Sequence, residues 1–117
     1  LIETDNAGIL ESGTITGAVK IGKNTFIRDN SIITGPVVIG KDCIISGSTI
    51  GPFTSIGDTS HITASHISNS IVMEGGIIDH VDSMSDSLIG KNVILKKQDP
   101  AKQGKSFVLG DGSQVFL

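Results

Sequence analysis

Aliphatic residues return every six positions along most of this chain, and that spacing fits neither the 3.6 of a helix nor the two of a half-buried strand. Ile9, Ile15, Ile21, Ile27, Ile33, Ile39 and Ile45 follow one another without a slip. Steps of five and six carry the series on through Ile50, Ile56, Ile62, Ile67, Val72, Ile78, Met84, Ile89 and Leu95. A fixed short period marks a repeat architecture, in which each unit buries its apolar side only against its neighbours.

Several units share a grammar: an aliphatic, then Gly, two turn residues, a small residue and one free position. Ile21-Gly22-Lys23-Asn24-Thr25-Phe26 and Ile39-Gly40-Lys41-Asp42-Cys43-Ile44 show it, as do the units beginning at Ile56 and Ile89. Residues two apart in a strand share a face, so the small residue points inward with the next aliphatic. Thr25 with Ile27, Ser31 with Ile33, Val37 with Ile39 and Cys43 with Ile45 are such pairs. Gly and Asn or Asp after the aliphatic supply the corners through their tolerance of positive φ. Asn24, Asn30, Asp42 and Asn92 are expected at one equivalent corner position.

Three short sides per turn close a coil, and coils stack as parallel sheets into a triangular prism. The repeat positions from Ile9 to Leu95, taken three to a coil, give about five coils, roughly 25 Å of prism at ~4.8 Å per strand. The five-residue steps at 45→50, 62→67, 67→72 and 84→89 leave Ile71/Val72, Ile77/Ile78 and Ile94/Leu95 able to exchange roles. The expected division is a prism over 1–95, an exposed polar loop over 96–106, and a terminal strand or cap of the same domain over 107–117. A hairpin turning at Asp111-Gly112 is the alternative for the last segment.

Composition narrows the function. Four Phe with no Trp or Tyr leave the core to aliphatic side chains. A net charge of −3 with mixed signs gives no footprint for nucleic acid or an anionic membrane. No apolar run approaches the ~20 residues of a spanning helix, and the N-terminus has no basic-then-apolar leader pattern. One cysteine, Cys43, excludes an internal disulfide and suits a reducing compartment such as the cytoplasm. The start at Leu1, almost in repeat register, reads as a piece cut from a longer protein.

Candidate chemical groups are few. His61 and His66 precede core aliphatics and should face outward, with His80 near a corner. Cys43 fills the small inward slot, which makes it a spacer before it is a nucleophile. Asp79, Asp82 and Asp86 with His80 form an acidic group without the spacing of a known metal site. Lys96, Lys97, Lys102 and Lys105 gather positive charge on the polar loop. No catalytic, cofactor-binding or metal-ligating residue is assigned. The outward positions are more informative. Phe26, Ile44, His61, Ile77 and Ile94 should stack in one column, and its apolar members Phe26, Ile44, Ile77 and Ile94 are the candidate interface. The adjoining side carries Lys20, Val38, Ser55, Ile71 and Leu88; the last carries Thr14, Ile32, Thr49, His66 and Ser83.

An ordered set of phrases supports a family resemblance. These are Gly35-Pro36-Val37-Val38-Ile39-Gly40-Lys41-Asp42-Cys43, Ile50-Gly51-Pro52-Phe53-Thr54-Ser55-Ile56-Gly57, Asn69-Ser70-Ile71-Val72-Met73-Glu74-Gly75, Asp86-Ser87-Leu88-Ile89-Gly90-Lys91-Asn92 and Val108-Leu109-Gly110-Asp111-Gly112-Ser113. Together they resemble the C-terminal region of long-form glucose-1-phosphate thymidylyltransferases. The resemblance implies a left-handed parallel β-helix, against the usual right-handed crossover. It also implies a parent enzyme making dTDP-glucose and pyrophosphate from glucose 1-phosphate and dTTP with Mg²⁺. That chemistry belongs to an N-terminal domain with a G-x-G-T-R-L-x-P loop, which this sequence lacks, so no catalytic residue carries over. The implied role is a non-catalytic assembly or regulatory domain, partnered by its own nucleotidyltransferase domain and by further copies of itself. The alternative is a hexapeptide acyltransferase using acetyl-CoA, with one His as base. A third possibility is a carbonic-anhydrase-like β-helix, which needs His ligands on neighbouring strands around a metal.

Overall fold

The computed structural model describes residues 4–6, 8–96, 108–112 and 114–116. Every strand pairing among them is parallel, and the strands form three sheets, the faces of a prism. The first face stacks Thr4–Asn6, Val19–Ile21, Val37–Ile39, Thr54–Ile56, Ile71–Val72, Leu88–Ile89 and Val108–Leu109. The second stacks Ile9–Leu10, Phe26–Arg28, Ile44–Ser46, His61–Thr63, Ile77–Asp79, Ile94–Lys96 and Gln114–Phe116. The third stacks Gly13–Thr16, Ser31–Thr34, Thr49–Ile50, His66–Ser68 and Met84–Ser85. The expected β-helix of about five coils is therefore present, as five coils with strands on all three sides and two further levels on the first and second faces. The long axis measures 36 Å and the cross-section 25 × 24 Å.

The five-residue steps do not disturb the inward register. Val72, Ile78 and Leu95 are buried, while Ile71, Ile77 and Ile94 hold the outward positions. The register slips where the sequence looks most regular. Ile9 pairs with Phe26 and Leu10 with Ile27, so Leu10, not Ile9, is the inward residue of the first coil. Both are nearly half exposed, since no described coil stacks beneath the second face there.

The glycine after each aliphatic answers to close approach rather than to positive φ. A Cβ at Gly22 would lie 2.7 Å from the Gly40 backbone, and one at Gly57 only 2.5 Å from the Glu74 nitrogen. The left-handed conformation falls two residues later, at Asn24, Asp42, Thr59 and Asn92, with φ of 57 to 60°. Asn24, Asp42 and Asn92 do share a corner, between the first and second faces. Asn30, expected with them, turns the next corner, between the second and third.

The small inward slot has a chemical reason to be serine. The Ser31 hydroxyl accepts the Ser48 N–H at 3.1 Å, Ser48 accepts the Ser65 N–H at 3.1 Å, and Ser65 accepts the Val81 N–H at 3.0 Å. Each hydroxyl also donates within its own coil: Ser48 to the Ser46 carbonyl at 2.9 Å, Ser65 to Thr63 at 2.8 Å. Thr25 and Ser70 make the same upward contact to Cys43 and Ser87 on the other two sides. Buried polar atoms are thus satisfied from coil to coil, as burial demands. No described buried side-chain nitrogen or oxygen lacks a partner.

The stack continues past Lys96. Val108–Leu109 pairs with Leu88–Ile89 on the first face, and Gln114–Phe116 with Ile94–Lys96 on the second. The Asp111-Gly112 turn between them is a prism corner, not a hairpin, because the two strands lie on different faces. The expected loop falls outside the described residues, apart from Lys96.

Candidate functional site

The outward columns follow from the register. On the second face Ile9, Phe26, Ile44, His61, Ile77 and Ile94 lie in one line of paired residues. Phe26, Ile44, Ile77 and Ile94 are half-buried there, low relief on a flat sheet. On the first face Lys20, Val38, Ser55, Ile71 and Leu88 are aligned in the same way. That column stands further out: Val38 and Ile71 are each 51% exposed and Leu88 44%. Beside it runs a groove of about 630 Å³, lined by Lys20, Pro36, Val38, Phe53, Ser55 and Ile71 among others.

Phe53 is the feature the sequence did not disclose. It sits at the corner between the third and first faces with φ 61°, and the residue is 68% exposed. Its N–H donates to the Pro36 carbonyl at 2.7 Å, which fixes the turn from below. A bulky residue in left-handed backbone is uncommon and strained. Gly51-Pro52-Phe53 reads as an ordinary turn until the φ is known.

The histidines are placed as expected and are not brought together. His61 and His66 are exposed on the second and third faces. His61 is flanked in its column by Ile44 and Ile77, and His66 pairs with Thr49 below. The neighbouring-strand pair that a shared metal would need is not formed. His80 turns a corner at φ 57° and contacts the Asp79 carboxylate through Nδ1. Asp79, Asp82 and Asp86 with His80 do not converge: no group of three or more His, Cys, Asp or Glu able to hold a metal occurs among the described residues.

Cys43 is fully buried in the expected slot, its thiol donating to the Gly57 carbonyl at 3.1 Å. Burial pushes the thiol's pKa up, which keeps it protonated and unreactive. Of the loop lysines only Lys96 is described, and it is exposed; Lys97, Lys102 and Lys105 lie outside the described residues. No helix of the described residues is long and apolar enough to cross a membrane.

Comparison with known proteins agrees with this arrangement. Residues 18–51 match the family described as bacterial transferase hexapeptide (six repeats). The chain is 41% identical over 107 residues to a glucose-1-phosphate thymidylyltransferase of Streptomyces antibioticus, covering 92% of this chain and 30% of that protein. A glucose-1-phosphate thymidylyltransferase of Streptomyces griseus is 33% identical with the same coverage. The bifunctional protein GlmU of Ruthia magnifica is 36% identical over 97 residues, 68% of this chain and 22% of its own length. The chain thus spans less than a third of the length of these curated relatives. An all-parallel triangular prism with the hexapeptide repeat, matched over 92% of its length by a segment of such enzymes, is a left-handed β-helix, and the chain is a hexapeptide-repeat domain, the counterpart of the C-terminal domain of the glucose-1-phosphate thymidylyltransferases.

Proposed function

We propose that this chain is the non-catalytic assembly domain of a sugar-1-phosphate nucleotidyltransferase. The observation that carries the reading is the coverage: 92% of this chain aligns with 30% of a thymidylyltransferase. The parent enzyme would join glucose 1-phosphate to dTTP in the cytoplasm, releasing pyrophosphate. That displacement needs donors around the nucleotide phosphates, and Mg²⁺ to neutralise developing charge. Both would be held by the other domain of the polypeptide.

What this chain offers instead is surface. Apolar residues aligned on exposed sheets mark contact regions, and the column Phe26, Ile44, Ile77 and Ile94 is a ready-made one for further copies of the chain. The catalytic domain of the same polypeptide would then be displayed around this core.

Two measurements test the reading. The purified chain should release neither pyrophosphate from dTTP with glucose 1-phosphate nor thiol from acetyl-CoA with an amino sugar, whereas the full-length polypeptide should release pyrophosphate. Thiol release by the chain alone would favour the acyltransferase reading. Phe26→Glu with Ile44→Glu should keep the fold and shift sedimentation toward monomer. An unchanged mass would remove the second face from the assembly.

A further inference from the structure

The two ends of the prism are unlike. Along the second face the inward residues Ile27, Ile45, Ile62, Ile78 and Leu95 are fully buried, whereas Leu10, lowest in the same line, is 44% exposed. On the third face Ile33 and Ile50 are fully buried, and Ile15 beneath them is only partly so. The small slots beside these two lowest residues hold Gly8 and Gly13, where the coil above places Thr25 and Ser31. The lower end is therefore an aliphatic mouth without hydroxyls. A parallel strand offers hydrogen-bonding groups to both of its neighbours, yet among the described residues no strand lies below Ile9–Leu10 or Gly13–Thr16. Solenoid ends of this kind need a cap. At the upper end Leu109 stacks on Ile89 and Val115 on Leu95, and both lower partners are fully buried.

We infer that in the full-length polypeptide the nucleotidyltransferase domain seats on this lower end and lays an apolar segment over Leu10 and Ile15, so that residues from outside this chain complete the first coil. This rests on the assembly-domain reading above. The segment matched in the Streptomyces antibioticus enzyme is 30% of that protein and its C-terminal domain, so the larger part of such a polypeptide precedes it. Thr4–Asn6, the first described strand, lies on the lowest level and pairs upward with Val19–Ile21. A polypeptide leading into Thr4 arrives at the rim of the mouth.

The dimensions suit a contact within one chain. A triangle drawn in the 25 × 24 Å cross-section covers about 300 Å², each partner's share of a small interdomain contact. Two domains already joined need no more, because the link keeps their effective concentration high. A second copy set end to end would cover the same residues, but it would bring a second incoming polypeptide, with its own domain, into the same plane. Contacts through the flat faces leave the mouth in water.

The test follows thiol labelling of the full-length polypeptide carrying Leu10→Cys, with Glu74→Cys, at an exposed corner, as the reference. Mass spectrometry locates the label. Leu10→Cys should react more than about tenfold slower than the reference in the native protein, since it must wait for local opening. Its rate should approach the reference once a protease site placed just ahead of residue 1 is cut and gel filtration has separated the two domains. Ile15→Cys takes its place if Leu10→Cys lowers the unfolding midpoint. Equal rates in the native full-length protein overturn the inference. Protection that survives removal of the other domain also overturns it, and assigns the mouth to a second copy. Pyrophosphate release by the same samples separates the two readings. An active enzyme with an unprotected Leu10→Cys refutes the seating alone, whereas a full-length polypeptide without that activity removes the nucleotidyltransferase reading on which the seating rests.

Discussion

Replacing Ser48 with alanine tests whether the hydroxyl column inside the prism contributes stability or merely fills space. The substitution removes one oxygen from a buried site and opens almost no cavity, so packing loss is small. Three hydrogen bonds pass through that residue. Its hydroxyl accepts the Ser65 N–H at 3.1 Å and donates to the Ser46 carbonyl at 2.9 Å, and its own N–H reaches Ser31 at 3.1 Å. Alanine keeps the last and loses the first two. The Ser65 N–H, buried between coils, is left without a partner, which costs about 1–3 kcal/mol. The Ser46 carbonyl lies nearer the surface and can turn to water. The net expectation is about 2 kcal/mol. At about 4 °C per kcal/mol for a chain of this length, the melting temperature should fall by roughly 8 °C. Equilibrium urea unfolding followed by circular dichroism is the assay, at two protein concentrations so that any assembly linkage is separated. The urea dependence should stay at the parent's value while the midpoint drops. Thr14→Ala, on the outer surface of the third face, serves as the control and should shift stability by less than ~0.5 kcal/mol. If Ser48→Ala proves as mild as that control, the coil-to-coil hydroxyl contacts add nothing and serine is there for size alone.

Ile45→Ala and Ile39→Ala, each emptying a fully buried slot, should cost roughly 2–5 kcal/mol in the same assay, while Ile9→Ala, outward and nearly half exposed, should cost far less. Equal losses at Ile9 and Ile45 would contradict the register of the first coil. Thr59→Gly should raise stability by about 1 kcal/mol, because a β-branched residue is held there at φ 59° in a corner column that elsewhere uses Asn, Asp and Gly; a lower midpoint would mean that its hydroxyl bond to Asp58 outweighs the strain. Cys43 should resist a thiol reagent in the folded chain and react on unfolding. Its pKa is raised on folding, so the folded state holds the proton longer than the unfolded one. Stability should therefore decline as pH rises past the unfolded thiol's value, and Cys43→Ala should flatten that alkaline decline.

The architecture was legible because the six-residue period is a statement about cross-section, and nothing local competes with it. The five-residue steps left Ile71/Val72, Ile77/Ile78 and Ile94/Leu95 open, and the structure decides for Val72, Ile78 and Leu95 because dropping one corner residue leaves the alternation inside each strand intact. Ile9 misled for the opposite reason. It sits six before Ile15 and matches the pattern, yet Leu10 is the residue stacked on Ile27. Two adjacent aliphatics offer no local means of choosing between them; only pairing with the next coil does. The glycines were noticed for the wrong property, because a neighbouring coil's backbone is invisible in a sequence while a turn is not. The outward columns followed from counting alone. Their relief did not: how far Val38, Ile71 and Leu88 stand out, and the left-handed corner that presents Phe53 beside them, appear only once the coils are stacked.

The in-phase stacking of coils has a consequence for how such a chain tolerates changes in length. Partners in adjacent coils lie 16 to 18 positions apart through the body of the stack, as Val19 to Val37 and Ser55 to Ile71 illustrate, and 20 apart from Leu88 to Val108. Each coil adds one fixed increment of height whatever its residue count, so extra residues accumulate sideways at a corner and never lengthen the rod. Only the gain or loss of a whole coil changes the distance between its two ends. The molecule behaves as a ruler graduated at ~4.8 Å, and the spacing between whatever is joined to its ends can evolve only in whole graduations.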